Sequence, residues 1–369
     1  MGTEKGVTNI RGVARIAKVS VATVSRVING SDLISPRTRE HVQAVIRHLG
    51  YRPHALARRI LRNSQMVCFV LANRPFLHPF HAGILQGAEA CAGKLKQHLV
   101  FVAIECEKET PPGQIVLPPI LEEKGWAEGV ILTGAVFPNL MSRLEELSLP
   151  FVVFGNCVFD SERSRGFNQV RYDGFRAEFE AAEYLINRGH RSIVFVGDTT
   201  YPWFREQYRG YLKAMRVHKL SPLSSARKGP GSFVEYGSWA AERLIKWKPV
   251  PTAVLTGNDE IAFGLCRSFL RLGVQVPNDI SVIGFDDREI AALIDPPLTT
   301  IRIFTQEIGS SCMKLLVEKL HNSSQGVITR WVGTELVERE SVKCQVTLQA
   351  KSRTSKPLNT PRPEEQRRA

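Results

Sequence analysis

Two groups of residues in this chain have types and spacings suited to recognition chemistry. The first lies in Val19–Gly30, read VSVATVSRVING. Arg26 carries a planar fork of donors that matches guanine O6 and N7, and Val21 and Ala22 offer apolar contact suited to a thymine methyl. The second group is spread along the chain, each member just past a short apolar run: Phe80 and His81; Tyr201, Trp203 and Phe204; Asn258-Asp259; Asp286-Asp287. Amides and carboxylates fix hydroxyl groups, and aromatic rings cover the less polar face of a sugar. Catalytic machinery is not apparent. There is no Walker loop, and Gly229-Pro230-Gly231 lacks the third glycine of a dinucleotide fingerprint. No Ser or Cys sits in a nucleophile elbow. His78-Pro79-Phe80-His81 has HxxH spacing, but Pro79 reads as a loop, and Asp286-Asp287 has no evident third ligand. Neither an enzyme, a metal site nor a cofactor is expected.

The elements that position the first group are three short helices. Ser20 is placed to cap the second one, and Asn29-Gly30 to end it. Val24, Val27 and Ile28 form its core face, while Val21, Ala22, Ser25, Arg26 and Asn29 form the other, with small side chains around one arginine. Val13, Ile16 and Ala17 at i, i+3, i+4 make Ile10–Lys18 the partner helix, a three- or four-residue break away. Ser35 and Pro36 open a third helix, Val42, Val45, Ile46 and Leu49 repeat along it, and Gly50 closes it. One such helix alone reads as ordinary scaffold. Three in this order read as a helix-turn-helix headpiece.

Charge supports that reading. The formal net charge is +13. Residues 1–62 hold 12 Lys/Arg against 3 Asp/Glu, residues 350–369 hold 6 against 2, and residues 63–349 balance at 31 against 31. A neutral body with a basic head places one end on a polyanion. No apolar face wide enough to insert in a membrane accompanies the head. Seven scattered cysteines, odd in number and never spaced as CxxC, point to a reducing compartment rather than a disulfide framework or zinc site. With no signal peptide and no run of about 18 apolar residues, a soluble, cytoplasmic, nucleoid-associated protein without a membrane partner is expected.

Beyond the headpiece, Tyr51-Arg52-Pro53-His54 interrupts the helical pattern, and His54–Leu61 can form two helical turns. So short a helix is marginal in water, where about 12–15 residues are normally needed. Ala57 and Ile60 face one side of it and Arg52, Arg58, Arg59 and Arg62 flank it, an arrangement suited to wedging an apolar side chain into a minor groove. The plainer alternative is a basic linker.

In residues 63–349, apolar runs alternate with helical patterns. Met66–Ala72, Leu99–Ile104, Gly129–Leu132, Pro150–Phe154, Ile193–Val196, Ala253–Leu255 and Ser281–Phe285 read as buried parallel strands. Helical patterns run over Ala82–Lys96, Leu140–Glu146, Phe175–Arg188, Arg205–Arg216, Tyr236–Lys246, Glu260–Leu272 and Thr305–His321. The expected fold class is α/β: a headpiece with hinge helix over residues 1–62, then a two-lobed, doubly wound parallel-sheet body over 63–349. Residues 350–369, basic and rich in Pro, Ser and Thr, are expected to form a disordered tail without a coiled coil.

VARIAKVSVATVSRVING, SPRTRE and YRP resemble the lactose and galactose repressor (LacI/GalR) family, and the match continues through RGHRSIVFVG, TGNDEIAFG, VPNDISVIGFDD, PPLTTIR and LVERES, about residues 8–345. The resemblance implies a homodimer on pseudo-palindromic operator DNA, with a periplasmic-binding-protein-like body. It implies base contacts from Val21, Ala22 and Arg26, backbone contacts from Thr23, Ser25 and Asn29, and a hinge wedge at Ala57 and Ile60. It places a small ligand between the lobes, with Asn258 and Asp286 as the strongest carry-overs beside Phe80, His81, Trp203 and Phe204, and chain crossovers near Asp160, Ile290 and Leu320. Asp287 is expected to cap or pair locally.

Four departures from the family pattern stand out. Gly12 stands where a polar or acidic residue is usual and weakens its helix by about 1 kcal/mol relative to Ala. Ile60 replaces the usual Leu and is stiffer. Gln207 replaces an Arg that anchors sugar hydroxyls, and neither Arg205 nor Arg209 sits at the matching position. Gly155-Asn156 follows Phe154 where an acidic residue is common. The resulting expectation is a sequence-specific regulator, a repressor, controlled by a sugar or sugar derivative. The alternative is a ligand-binding protein of the same fold without specific DNA readout.

Overall fold

The computed structural model describes residues 10–28, 33–49, 65–74, 78–123, 125–160, 162, 165–225, 228–322 and 326–345. The expected roles of Asn29, Ala57 and Ile60, the hinge helix and the tail lie outside the described residues. The headpiece has three helices, α1 (Ile10–Ile16), α2 (Val21–Ile28) and α3 (Pro36–His48). Ser20 Oγ accepts from the Thr23 backbone N–H at 3.0 Å, and Ser35 Oγ accepts from Thr38 N–H at 3.2 Å, so both expected caps form. Helix α1 is shorter than expected. It stops at Ile16 because Lys18 turns into the left-handed region at φ 52°, which swings the chain into α2. Its core face also differs: Val13, Ala14 and Ala17 are buried, and Ile16 is 42 % exposed on the flank opposite Ala14. The two small alanines let the helices approach closely. Val13, Ala14, Ala17, Val24, Val27 and Val42 form one apolar cluster, with Val45, Ile46 and Leu49 packed on its edge. The His41 ring Nε2 lies 3.2 Å from the Ala17 carbonyl and ties α3 to the helix-turn-helix bend.

Among the described residues the body contains twelve strands in two six-stranded sheets. In chain order they are β1 (Met66–Ala72), β2 (His98–Ile104), β3 (Gly129–Gly134), β4 (Phe151–Phe154), β5 (Gln169–Tyr172), β6 (Ile193–Val196), β7 (Leu223–Ser225), β8 (Ala253–Thr256), β9 (Ser281–Asp286), β10 (Thr299–Ile303), β11 (Thr329–Val332) and β12 (Thr334–Val337). The first sheet has the order β11-β5-β4-β3-β1-β2 and the second β12-β10-β9-β8-β6-β7. All pairs are parallel except β10–β12. The seven apolar runs are all strands. Five strands escape sequence reading because they are short and sit toward a sheet margin, where polar residues replace the apolar run: Gln169–Tyr172, Leu223–Ser225, Thr299–Ile303, Thr329–Val332 and Thr334–Val337.

Among the described residues seven longer helices cover the sheets: α4 (Pro79–Lys94), α5 (Pro138–Glu146), α6 (Gly174–Asn187), α7 (Pro202–Val217), α8 (Phe233–Leu244), α9 (Asp259–Arg271) and α10 (Thr305–His321). The chain passes from the first sheet to the second between β5 and β6, back between β10 and β11, and across again at Gly333 between β11 and β12. The crossovers therefore do not fall near Asp160, Ile290 and Leu320. After Asp160 the chain still adds β5 to the first sheet, after Ile290 it still adds β10 to the second, and by Leu320 it has already returned, since α10 packs against α4 and β4 of the first lobe.

Three helix pairs, α4–α10, α6–α7 and α8–α9, make the tightest contacts between helices. Each crosses where a glycine lets backbone meet backbone. In the α8–α9 pair the device is reciprocal: a Cβ on Gly237 would overlap the Ile261 carbonyl oxygen, and one on Gly264 the Val234 carbonyl oxygen.

Glu178 on α6 is 1 % exposed, and its Oε1 has no hydrogen-bond partner. Burial pushes its carboxyl well above the usual range. An acid with a raised folded-state pKa keeps a proton that the unfolded chain has lost. Stability is then full below the unfolded pKa of about 4.3 and falls as pH rises toward the folded value. Glu178→Gln, which keeps the shape and removes the titration, is expected to be nearly silent at pH 4. At pH 8 it should stabilise by roughly 1–3 kcal/mol. Thermal unfolding of both proteins across pH 4–8 checks this, and parallel curves would mean that Glu178 is not a buried titrating acid.

Candidate functional site

The exposed face of α2 is built from the alternation expected. Val24 and Val27 are buried at 0 % and 4 %, which fixes the roll of the helix. That leaves Val21 42 % exposed, Ala22 and Arg26 exposed, and Thr23 and Ser25 half-buried. The Thr23 hydroxyl lies 2.9 Å from Ser20 Oγ, so it belongs to the helix cap as well as to the surface.

In the body, the carboxyl ends of β1, β4, β6, β8 and β9 open on one cleft of about 560 Å³ of empty space, walled by both sheets. All seven residues singled out for it from the sequence line this one cavity: Phe80, His81, Trp203, Phe204, Gln207, Asn258 and Asp286. Strand ends of doubly wound sheets are where ligands bind, because the loops there are free to vary above a rigid support. Tyr201 is one layer out, stacked on Trp203 with ring centroids 4.8 Å apart. Phe204 meets Phe233 edge-on at 5.4 Å, and Phe80, Phe154, Tyr172 and Phe285 make a chain of rings at 5.9, 6.0 and 6.0 Å that crosses between the lobes.

His78 and His81 differ from expectation. Pro79 does not make this segment a loop. It occupies the first turn of α4, where a missing N–H costs nothing, and the His78 ring accepts from the Phe80 N–H at 3.2 Å as the cap. His81 therefore projects from a helix into the cleft. It is 6 % exposed, burial holds its pKa down at about 3, and Nδ1 has no partner. It is a neutral imidazole, a donor on one nitrogen and an acceptor on the other.

The polar groups of the cleft divide into committed and free. Asn258 caps α9, its Oδ1 accepting from Ile261 N–H at 2.9 Å. Asn156, at the departure after Phe154, exchanges two 3.0 Å hydrogen bonds with the Tyr172 backbone and so serves as wall. The Cys157 thiol donates to the Phe154 carbonyl and is pushed up to about 12 by burial, which makes it inert. Gln207 is 1 % exposed and its Oε1 has no partner. Arg205 and Arg209 do not replace the family's arginine: Arg205 bonds the Thr199 and Thr200 carbonyls, Arg209 pairs with Glu206, and neither lines the cleft.

Asp286 stands at φ 113° and Asp287 at φ 52°, a costly pair of left-handed residues. Arg302 and Arg339, each 2.7 Å from a different oxygen of Asp287, pin that turn and confirm its local pairing. Burial, then the neighbouring Asp259, raises the Asp286 carboxyl far above its ordinary range. Asp259 itself is raised to about 7 by burial, against hydrogen bonds from Thr300 Oγ1 at 2.6 Å and Arg288 N–H at 2.7 Å.

Sequence reading missed two contributors. Arg74 lines the cleft two residues past β1. Following the strand end residue by residue would have found it. His78 reaches across the lobes, its Nε2 3.1 Å from Glu260 Oε1, which also accepts from Arg288 at 3.1 Å. The hydrogen bond from His78 is the largest cause of the lowered Glu260 pKa. No sequence signal joins residues 182 positions apart. Among the described residues no cluster of His, Cys, Asp or Glu could hold a metal ion, and no helix is long and apolar enough to cross a membrane.

Residues 9–54 match the model of the lacI family of bacterial regulatory proteins, and residues 182–342 match a periplasmic binding protein-like domain. The chain is 32 % identical over 338 residues to the HTH-type transcriptional repressor CytR of Escherichia coli (strain K12), covering 90 % of this chain and 96 % of CytR. It is similar in structure to the transcriptional regulator CelR in complex with cellobiose, at TM-score 0.65 and 26 % identity over 90 % of this chain and 99 % of that one. The lac repressor dimer bound to operator and the anti-inducer ONPF shares the fold at TM-score 0.71 and 23 % identity, over 91 % and 99 % of the two chains. The similar proteins are regulators, not enzymes. The chain belongs to the lacI family of bacterial regulatory proteins and is a ligand-controlled, DNA-binding transcriptional regulator.

Proposed function

We propose that this regulator is a dimeric repressor whose α2 helices read successive major grooves of a near-palindromic operator, and whose affinity is set by a carbohydrate-like effector in the interlobe cleft. Val21, Ala22 and Arg26 are assigned to base edges, Thr23, Ser25 and Asn29 to the backbone, and Ala57 and Ile60 to the minor-groove wedge. The functional units are residues 1–62, 63–349 and 350–369, and the protein works in the cytoplasm at the nucleoid, where its operator is. The observation that carries the DNA reading is the pattern on α2: a buried Val24 and Val27 with Val21, Ala22 and Arg26 left outward. The effector reading is supported by the convergence of seven separately chosen residues on one cleft. A sugar effector also accords with the cellobiose complex of CelR.

Effector and operator are coupled because closing the cleft moves one lobe against the other, and the coupling cannot exceed the ligand's differential affinity for the two states. The test is selection of bound sequences from random DNA by the full-length protein at about physiological salt, with and without candidate sugars. A pseudo-palindrome with half-sites about one helical turn apart is the expected result. No enriched motif under either condition would leave a ligand-binding protein without specific readout.

A further inference from the structure

Arg74 is the one cationic side chain among the described residues that lines the cleft without a protein acceptor. Its Nε is buried with no hydrogen-bond partner, and among the described residues no carboxylate forms an ion pair with it. The guanidinium lies 5.3 Å from the centroid of the Trp203 ring, held over the aromatic face. Burial lowers its pKa, opposed by the neighbouring Tyr201, Cys157 and Glu260. Of these only Glu260 is a carboxylate, and Arg288 and His78 already engage it. Asp286 lines the same cleft from the other lobe, at the end of β9. Desolvating a cation without a counter-ion is costly, and an incoming anion recovers that cost. A guanidinium also offers a planar fork of donors that matches a carboxylate or phosphate. Away from Arg74 the free groups are of another kind. The buried Gln207 Oε1 is an acceptor without a donor, and Asp286 and the unpartnered Nδ1 of His81 also suit hydroxyl groups.

Resting on the reading of this cleft as a carbohydrate site, we infer that the effector is a sugar acid. Its anionic group, a carboxylate or a phosphate, is bound by Arg74 over Trp203, and its hydroxyls meet Gln207, His81 and Asp286. Gln207 then has a reason to replace the family's arginine. The cation that engages the ligand has moved across the cleft from α7 to the end of β1, and a second arginine on α7 would place two positive charges around one anion.

The test is calorimetric titration of the full-length protein and of Arg74→Gln with D-glucuronate, D-galacturonate and D-gluconate, with glucose 6-phosphate, and with glucose, galactose and cellobiose as neutral probes. At least one acid is expected to bind about tenfold or more tightly than its neutral parent, the gain of a charge-assisted pair. That preference should vanish in Arg74→Gln and persist in part in Arg74→Lys, with unfolding midpoints showing each variant folded. The carboxylate and phosphate arms decide which anion is held. If neutral sugars bind as tightly as their acids, or if the preference survives Arg74→Gln, the sugar-acid assignment is overturned while the carbohydrate reading stands. If no member of the panel binds, both are overturned.

Discussion

Arg26→Ala is expected to lower operator affinity by about 1–3 kcal/mol for each headpiece engaged, the range of a bidentate arginine–guanine pair. A dimer loses it twice, so the combined loss reaches roughly one and a half to four orders of magnitude at about 1.4 kcal/mol per factor of ten. The fold should not change. Arg26 is exposed, and the helix is held by Val24 and Val27 on its other side and by Ser20 at its start. The check is titration of the variant with operators changed one base pair at a time. Wild type should discriminate strongly at one position in each half-site, and Arg26→Ala should be indifferent there. A uniform loss on every sequence would instead assign Arg26 to phosphate, since phosphate contacts position the protein without specifying bases.

The second large effect is in the body. Gly264→Val is expected to destabilise it by about 3 kcal/mol, because the new side chain must displace the Val234 carbonyl of α8 rather than a flexible side chain. The reciprocal contact at Gly237 makes a sharper prediction. Gly264→Ala and Gly237→Ala each force the same two helices apart, so the second substitution meets a gap the first has opened. Their combined cost should fall short of the sum of the single costs. Denaturant unfolding of the three variants measures this, and strict additivity would show that the two crossings are independent. Function should follow stability here. Helix α9 is capped by Asn258 and carries Glu260, so shifting it disturbs both a cleft wall and the bridge to His78.

How much could be read beforehand depended on distance along the chain. The recognition helix was legible because a cap, a period of 3.6 and an outward arginine are all set within about ten residues. Ser20, Val24 and Arg26 behave as their spacing required. The cleft residues were legible for a related reason. A buried parallel strand announces itself by an apolar run, and whatever follows it stands at the ligand-bearing edge, as Asn258 after β8 and Asp286 at the end of β9 do. Local rules also misled. Pro79 suggested a loop, though proline opens a helix as readily as it breaks one, and Ile16 counted as core on periodicity although Ala14 took that place.

Tertiary structure alone decided the rest. The ring of Trp203 meets the guanidinium of Arg74, and Glu260 meets His78, from opposite lobes. Marginal strands such as Gln169–Tyr172 and Thr329–Val332 exist because a neighbouring strand offers them a ladder, not because their own residues demand it. The crossovers moved for the same cause, since the sheet that a strand joins is chosen by its partners. Short-range preference is encoded residue by residue, whereas the balance of charge in the cleft depends on which distant side chains the two sheets bring within a few ångströms of each other.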